Sequence, residues 1–274
     1  QLPGNEQHRS NWMWYARNVT EMFTGSLTRA VDFVPPAGWH ASNPSIMASV
    51  TGFLCIVRTT NYQIVNGQYL TPDDNVIYTR NWMIELDAEL NTLGTQEICE
   101  SPEVGKQWPR SSFPVHGFED CRLFKDHRTN QLYASATVCD FDLERPTEGP
   151  REIVLLDLSS DYTIEHITPL RGAWGGRAQK NWMPLVGAPE PTFIYAAQND
   201  SGSVTKLTVG DHTVANLSYG RLRGGSQVIP CRGRGSIAIV HDVSWPGNNA
   251  RMYWHRFVEF DAAYTRIVRM SEPF

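Results

Sequence analysis

The stretch His116–Phe124 reads HGFEDCRLF. Two carboxylates, Glu119 and Asp120, stand side by side, and Cys121, Arg122 and two large apolar residues follow. Adjacent acids repel each other. The segment they open into nevertheless reads as buried strand, continuing after a turn into QLYASATVCDFD from Gln131. The pair is therefore either a solvated turn with a local salt bridge or a place where a carboxylate meets a substrate.

Outward from this stretch the pattern repeats. From Asn43 onward the chain is a series of short apolar or alternating runs, among them SIMASV, GFLCIVRTT, NVIYTRNWMIELD, EIVLLDLSS, TFIYAAQ, SVTKLTVG, GSIAIVHDVS and ARMYWHRFVEFD. Gly, Asn, Asp and Pro bound them, and turn signals recur about every eight to twelve residues. Helical periodicity is nearly absent after residue 42, whereas NWMWYARNVTEMF near the N-terminus is compatible with a short helix ended by FVPPAGW.

The runs group into units: Asn43 to about Leu93, Gly117 to about Leu170, Lys180 to about Leu222, and Gly225 to the end. Units two to four open on a polar signature (GFEDCRLF, KNWMPL, GGSQVIP), and three units close on a Leu/Phe-Asp strand (IELDAEL, LLDLSSDY, VEFDAAY). Repeats of about 45–55 residues with about four strands each read as propeller blades. The innermost strand of each blade faces the central axis, so polar signatures at the blade openings converge on one funnel. Four blades are legible. A fifth drawn from residues 1–42, with or without sequence beyond Phe274, makes the expected fold an all-β five-bladed β-propeller with an incomplete last blade. Residues 1–42 are read as an N-terminal segment that contributes to blade closure and 43–274 as the propeller domain.

Composition narrows the function. Of 274 residues, 41% are apolar and 19% charged, which supports a packed core rather than disorder. A net charge of −5 with no basic run disfavours nucleic acid as a partner. No apolar run reaches membrane-spanning length, and no signal pattern opens the chain, so no membrane partner is expected. Gln1 stands where a Met would, which leaves an upstream piece open. Five cysteines, at 55, 99, 121, 139 and 231, show no zinc spacing and read as small buried hydrophobes in a reducing compartment, giving a cytoplasmic expectation. The sequons at Asn18, Asn199 and Asn216 are of a kind that arises by chance. Nine tryptophans serve equally well as core filler or as sugar-binding faces.

Aligned blade openings place Arg58 with Asn61 and Tyr62, then Glu119, Asp120 and Arg122, then Lys180, Asn181 and Trp182, then His241 and Tyr253, with His255 and Arg256 nearby. That is one carboxylate pair among surplus cations. It reads as an acid or base beside an anion pocket. Each residue alone has a plainer reading: a turn ion pair for Glu119–Asp120–Arg122, a loop residue for Lys180, an interior histidine for His241, a solvated strand end for Arg58.

In their order, GFEDCRLF, LYASAT, KNWMPL, GSIAIVHDV and RMYWHRFVEFD resemble the motifs of glycoside hydrolase family 130, which contains the β-mannoside phosphorylases. The resemblance covers roughly Asn43 to Asp261. It implies a five-bladed propeller and a general acid at Asp120, within the match to the family's Glu-Asp-Pro-Arg motif. It also implies phosphate ligands at Lys180, His241, Tyr253 and Arg58. Glu119, Arg122, Asn61, Tyr62, Asn181 and Trp182 are the expected substrate contacts, with Trp182 and Tyr62 stacking on sugar. Cys121 stands where the family has proline, His241-Asp242-Val243 replaces a His-Gly-Val sequence, and GGSQVIP replaces a Gly-rich stretch, which marks an outlying branch.

The implied activity is inverting mannosyl transfer between a β-mannoside and inorganic phosphate, giving mannose 1-phosphate. Phosphate is then co-substrate and nucleophile; no other cofactor and no metal is called for. A protonated, partly buried Asp120 with a raised pKa is expected. The alternatives are a β-mannosyltransferase using a nucleotide- or phosphate-activated donor and a non-catalytic carbohydrate-binding propeller. The partners are an oligosaccharide or mannoside and phosphate, and a homo-oligomer is left open.

Overall fold

The structure, a computed structural model, describes residues 29–274 except 66–67, 73, 127, 143–148, 150, 171–179, 189–190, 198–203, 210–211, 219–221, 232–234, 245–250 and 265, with side chains excluded over 195–218. The N-terminal run NWMWYARNVTEMF and the sequons at Asn18 and Asn199 lie outside the described residues.

The first unit forms β1 (His40–Ala48), β2 (Phe53–Thr60), the small hairpin β3 (Gln63–Val65) and β4 (Gln68–Leu70), β5 (Ile77–Leu86) and β6 (Thr92–Ile98). After them come a short helix α1 (Pro102–Gln107), capped by the Ser101 hydroxyl, and β7 (Val115–His116). The second unit forms β8 (Glu119–Lys125), β9 (Leu132–Val138), β10 (Glu152–Leu158) and β11 (Ile164–Pro169). The third forms β12 (Met183–Pro184), β13 (Thr192–Ala197), β14 (Val204–Val209) and β15 (His212–Ser218). The fourth forms β16 (Arg223–Gly224), β17 (Ile229–Pro230), β18 (Ser236–Ser244), β19 (Met252–Phe260) and β20 (Ile267–Met270).

Each unit is one sheet: β1-β2-β5-β6, β8-β9-β10-β11, β12-β13-β15-β14 and β16-β18-β19-β20, with β3-β4 a separate two-stranded sheet. The third departs from a simple meander, since β13 pairs in parallel with β15. The described residues thus hold four blade-like sheets. A fifth blade and a closed ring are not among them. Residues just before β1 lie against the first sheet: Asp32 accepts a hydrogen bond from Thr92, and Arg80 stacks on both Trp39 and Trp82.

The middle strands are continuous apolar runs because successive sheets pack face to face and bury them on both sides. Ile56 and Met83 of the first sheet meet Leu123, Ala134, Val154 and Leu156 of the second. Phe124, Ile153 and Leu155 of the second meet Trp182 and Phe193 of the third. Met183 and Ile194 of the third meet Val228, Ala238 and Val240 of the fourth. Each fully buried Leu, Ile or Phe stabilises by about 1.5–3 kcal/mol.

The inner strands come together at one place. Gln227, just before β17 and buried, has its Nε2 within hydrogen-bond distance of Ser45 Oγ and Ile46 O of β1 and of Leu123 O of β8, at 3.1, 2.9 and 2.7 Å, which its two N–H groups share. One amide thereby ties the first, second and fourth sheets. All five cysteines are free; Cys55, Cys121 and Cys139 are buried as expected, but Cys99 is exposed. No helix among the described residues is long and apolar enough to cross a membrane.

Candidate active site

Side chains alternate along a strand, so Glu119 and Asp120 would face opposite ways. Strand β8 instead carries a bulge: Glu119 pairs with Thr137, the next pair is Arg122 with Ser135, and one extra residue is absorbed between them. Asp120 takes the left-handed conformation there, φ 55°. As a result both carboxylates reach the same guanidinium. Arg58 on β2 donates from one terminal nitrogen to Asp120 Oδ1 (2.9 Å) and from the other to Glu119 Oε1 (2.8 Å).

A second bulge faces the first. The β1–β2 register shifts between Ser42 and Ser45, and Asn43 sits in the shift at φ 47°. Its Nδ2 donates to Asp120 Oδ1 at 2.6 Å. Asn181 is also left-handed, φ 64°. Asn and Asp tolerate this conformation better than other non-glycine residues, and such outliers concentrate at functional sites.

Lys180 lies 3.4 Å from Glu119 Oε2, so Glu119 has one oxygen on each of two cations. Arg122 differs. It forms no salt bridge among the described residues, although it lies within electrostatic range of Asp120. It lines a small open hollow with Asp120, Ser135, Thr137, Asn181 and Trp182. Burial lowers the Arg122 pKa, against the pull of Asp120.

Burial also pushes the Asp120 carboxyl up. The Arg58 guanidinium, the Asn43 hydrogen bond, Arg122 and Lys180 together outweigh it and hold the group below the usual carboxylate range. The expectation of a raised Asp120 pKa is therefore overturned: the sequence pattern set Arg122 alone against burial, and the fold brings Arg58, Asn43 and Lys180 as well.

His241 on β18 is 9% exposed and belongs to the same electrostatic neighbourhood. Burial, His255, Arg122 and Arg223 push its pKa down to about 4 against the pull of Asp120, so it is neutral at neutral pH. Its ring meets those of Tyr253 at 5.5 Å and His255 at 5.8 Å. Tyr253 is 48% exposed, and its ring contact among the described residues is with His241.

The remaining candidates are placed less centrally. Asn61 spends both ends of its amide on backbone, donating to Val76 O and accepting from Tyr78 N. Tyr62 receives a 3.5 Å hydrogen bond from Arg58. Trp182 is 2% exposed and packs on Phe193, so it is a wall of the hollow rather than a free stacking face. Asn43, Ser135 and Thr137 are site residues that sequence reasoning missed. The legible sign for Asn43 was Pro44, because proline inside a strand is confined to edges and bulges. Ser135 and Thr137 looked like ordinary strand alternation.

The blade-like sheets thus bring two carboxylates, Glu119 and Asp120, together with the cations Arg58 and Lys180. No protein-family model and no curated protein sequence matches the chain. Among solved structures, the fold is similar to one from the GH130 family of mannoside phosphorylases, in work on glycoside hydrolases that target β-1,2 mannosidic linkages in Candida mannan. That pair shares 11% identity over 85% of this chain and 71% of the other, with a TM-score of 0.51. A candidate glycosidase from Bacteroides thetaiotaomicron follows at 12% identity, 85% and 72% coverage and TM-score 0.48. A glycosyl hydrolase from Bacteroides ovatus stands at 11%, 85% and 70%, and 0.49. At 11% identity the likeness to the first establishes the β-propeller fold alone.

Proposed function

We propose that the protein is an inverting glycoside phosphorylase acting on β-mannosides, with Asp120 as its proton-transfer group. The observation that carries this reading is the placement of Asp120: a left-handed bulge residue at the edge of the hollow, held by Arg58 and Asn43, with Arg122 beside it free of any salt bridge among the described residues.

The charge inventory favours phosphate over water as nucleophile. An inverting hydrolase needs a second carboxylate free to activate water. Glu119 is poorly suited, because both its oxygens are committed to cations. Arg58, Lys180 and Arg122 outnumber Glu119 and Asp120, leaving a net positive centre for an anion. Arg122 and Lys180 supply charge to the phosphate, His241 and Tyr253 are its further proposed ligands, and Arg58 acts through the carboxylates it holds.

The lowered Asp120 pKa sets the direction of easy entry. An ionised Asp120 is ready to take the proton of an acceptor hydroxyl while mannose 1-phosphate gives up phosphate. By microscopic reversibility the same group protonates the glycosidic oxygen in breakdown. Bound phosphate adds negative charge nearby and so favours the protonated form that breakdown requires. Asn181 and the hydroxyls of Ser135 and Thr137, from residues that line the hollow, are the polar groups that orient the sugar.

The test is a screen of mannose 1-phosphate with a panel of acceptor sugars, read as phosphate release, and the reverse reaction read as mannose 1-phosphate formed from mannobioses. Turnover should require both partners in each direction and vanish in Asp120→Asn. Turnover that survives in Asp120→Asn, or mannoside cleavage indifferent to phosphate, would overturn the reading. Transfer only from a nucleotide-activated mannose would move the assignment to a mannosyltransferase.

A further inference from the structure

Asp120 holds its left-handed backbone, φ 55°, directly beside a second carboxylate that repels it. A non-glycine residue keeps such a conformation only where its surroundings over-determine it. On the C-terminal side the anchor is Leu123. Its N–H donates to Ser45 Oγ at 3.0 Å, and its carbonyl faces Gln227 Nε2. On the N-terminal side the anchor is a cluster of charged side chains, none of which lines the hollow.

Asp140, two residues past β9 and fully buried, is the hub of that cluster. One carboxylate oxygen meets Arg110 Nη1 at 3.0 Å and the other meets His116 Nδ1 at 2.9 Å. The second terminal nitrogen of Arg110 reaches Glu100. The same guanidinium lies over the rings of Phe118 and Phe141, 4.9 and 4.3 Å from their centroids. The carbonyl of Phe118 accepts from Asn81 Nδ2 at 2.9 Å. His116 and Phe118 are thus both fastened, and Phe118 stands two residues before Asp120.

Stability alone does not account for this arrangement. Desolvating charges is costly, and well-packed apolar residues often serve a core as well or better. Directed bonds from a buried carboxylate do something apolar contacts do less well: they fix one path for the backbone. We infer that the Glu100–Arg110–Asp140–His116 cluster sets the placement of Asp120 for proton transfer, with His116 the positioning residue that ties the start of β8 to it. This rests on the proposed function, since it takes Asp120 as the proton-transfer group.

The test is the pH profile of kcat for phosphate release from mannose 1-phosphate and an acceptor sugar. His116→Phe loses the Nδ1 contact but keeps a ring against Tyr78, where the imidazole stacks at 5.1 Å, so it should fold. Its kcat should fall about tenfold, because a misplacement of about 1 Å can cost about 100-fold. KM for mannose 1-phosphate should stay within about twofold. The acid limb should move up by about half a pH unit, because an Asp120 drawn away from Arg58 and Asn43 is left to burial, which favours its protonated form. The charged groups around Asp120, namely Glu119, Arg58, Arg122, Lys180 and His241, are the same in both proteins, so the limb reports placement.

His116→Asn, whose amide supplies an N–H in place of Nδ1–H, should restore both kcat and the limb. Ile84→Val, a core truncation among Cys55, Val57 and Leu86, should lower the melting temperature and move neither. His116→Ala serves the same comparison if the Phe variant does not fold. A folded His116 variant with wild-type kcat and limb, a loss that His116→Asn does not restore, or an equal limb shift in Ile84→Val would overturn the inference and leave the proposed function standing. Wild-type protein that releases no phosphate would remove the proposed function, and the inference with it.

Discussion

Replacing Arg58 with Met should be the most informative single change. The Arg58 side chain is 6% exposed, and it is the shared counter-ion of Glu119 and Asp120, themselves 11% and 18% exposed. Removing one partner of a buried ion pair costs about 3–5 kcal/mol, because the remaining charge is left without compensation. Two features temper that figure. Lys180 still lies 3.4 Å from Glu119 but is 38% exposed and therefore screened, and Asn43 still donates to Asp120. The expected loss at pH 7 is thus at the lower end, about 3 kcal/mol.

The pH dependence adds a sign that packing alone would not. In wild type the Asp120 pKa is depressed, so its contribution to stability is present above the ordinary value near 4 and is lost as pH falls through the folded value. Without Arg58, burial dominates and the Asp120 pKa rises. The variant then carries an uncompensated charge at neutral pH, and protonation relieves it. The deficit of Arg58→Met should accordingly be largest near pH 7 and shrink toward pH 4. Urea denaturation followed by tryptophan fluorescence at several pH values measures both quantities. The triple variant Arg58→Met, Glu119→Gln, Asp120→Asn should recover part of the loss, since it removes the stranded charges. A loss below about 0.5 kcal/mol, or a deficit that grows on acidification, would refute a buried, shared guanidinium.

Inorganic phosphate should raise the melting temperature of wild type by several degrees through binding to the folded state, and Arg122→Met should abolish that rise; an undiminished rise would remove the anion from Arg122. His241, with its pKa lowered from 6.5 to about 4, should cost the folded protein about 3 kcal/mol as pH falls through that window, because the unfolded chain takes up the proton first. His241→Gln should flatten the acid limb of the stability profile over the same range, and an unchanged profile would contradict a buried neutral imidazole. Gly117→Ala should destabilise by at least about 1–3 kcal/mol and lower activity, because Gly117 has φ +92° and an added Cβ would lie 2.4 Å from Thr79 O, displacing the approach to β8; circular dichroism melts and the phosphate-release assay would read both effects.

Much of this architecture was legible in the chain itself. The units opening at Asn43, Gly117, Lys180 and Gly225 correspond to the four blade-like sheets, because a strand buried on both faces must be written as a run such as IVLL or IAIV. The parallel pairing of β13 with β15 was not legible, since apolar runs carry no record of strand direction. The candidate site was legible as a list of residue types in order, Arg58, Glu119, Asp120, Arg122, Lys180 and His241, which the fold brings into one electrostatic neighbourhood. The roles within it were not.

Which cation meets which acid depends on backbone turns that have no strong sequence code. Bulges at Asn43 and Asp120 decide that Arg58 bridges the two carboxylates and that Arg122 remains open to the hollow. The same geometry reverses the expected shift at Asp120 and retires Trp182 into the core. Local chemistry and periodicity are properties of neighbouring residues, and these the chain determined. Charge pairing and burial are sums over residues distant in sequence, such as 43, 58, 120 and 180, and only their assembly in space decided them.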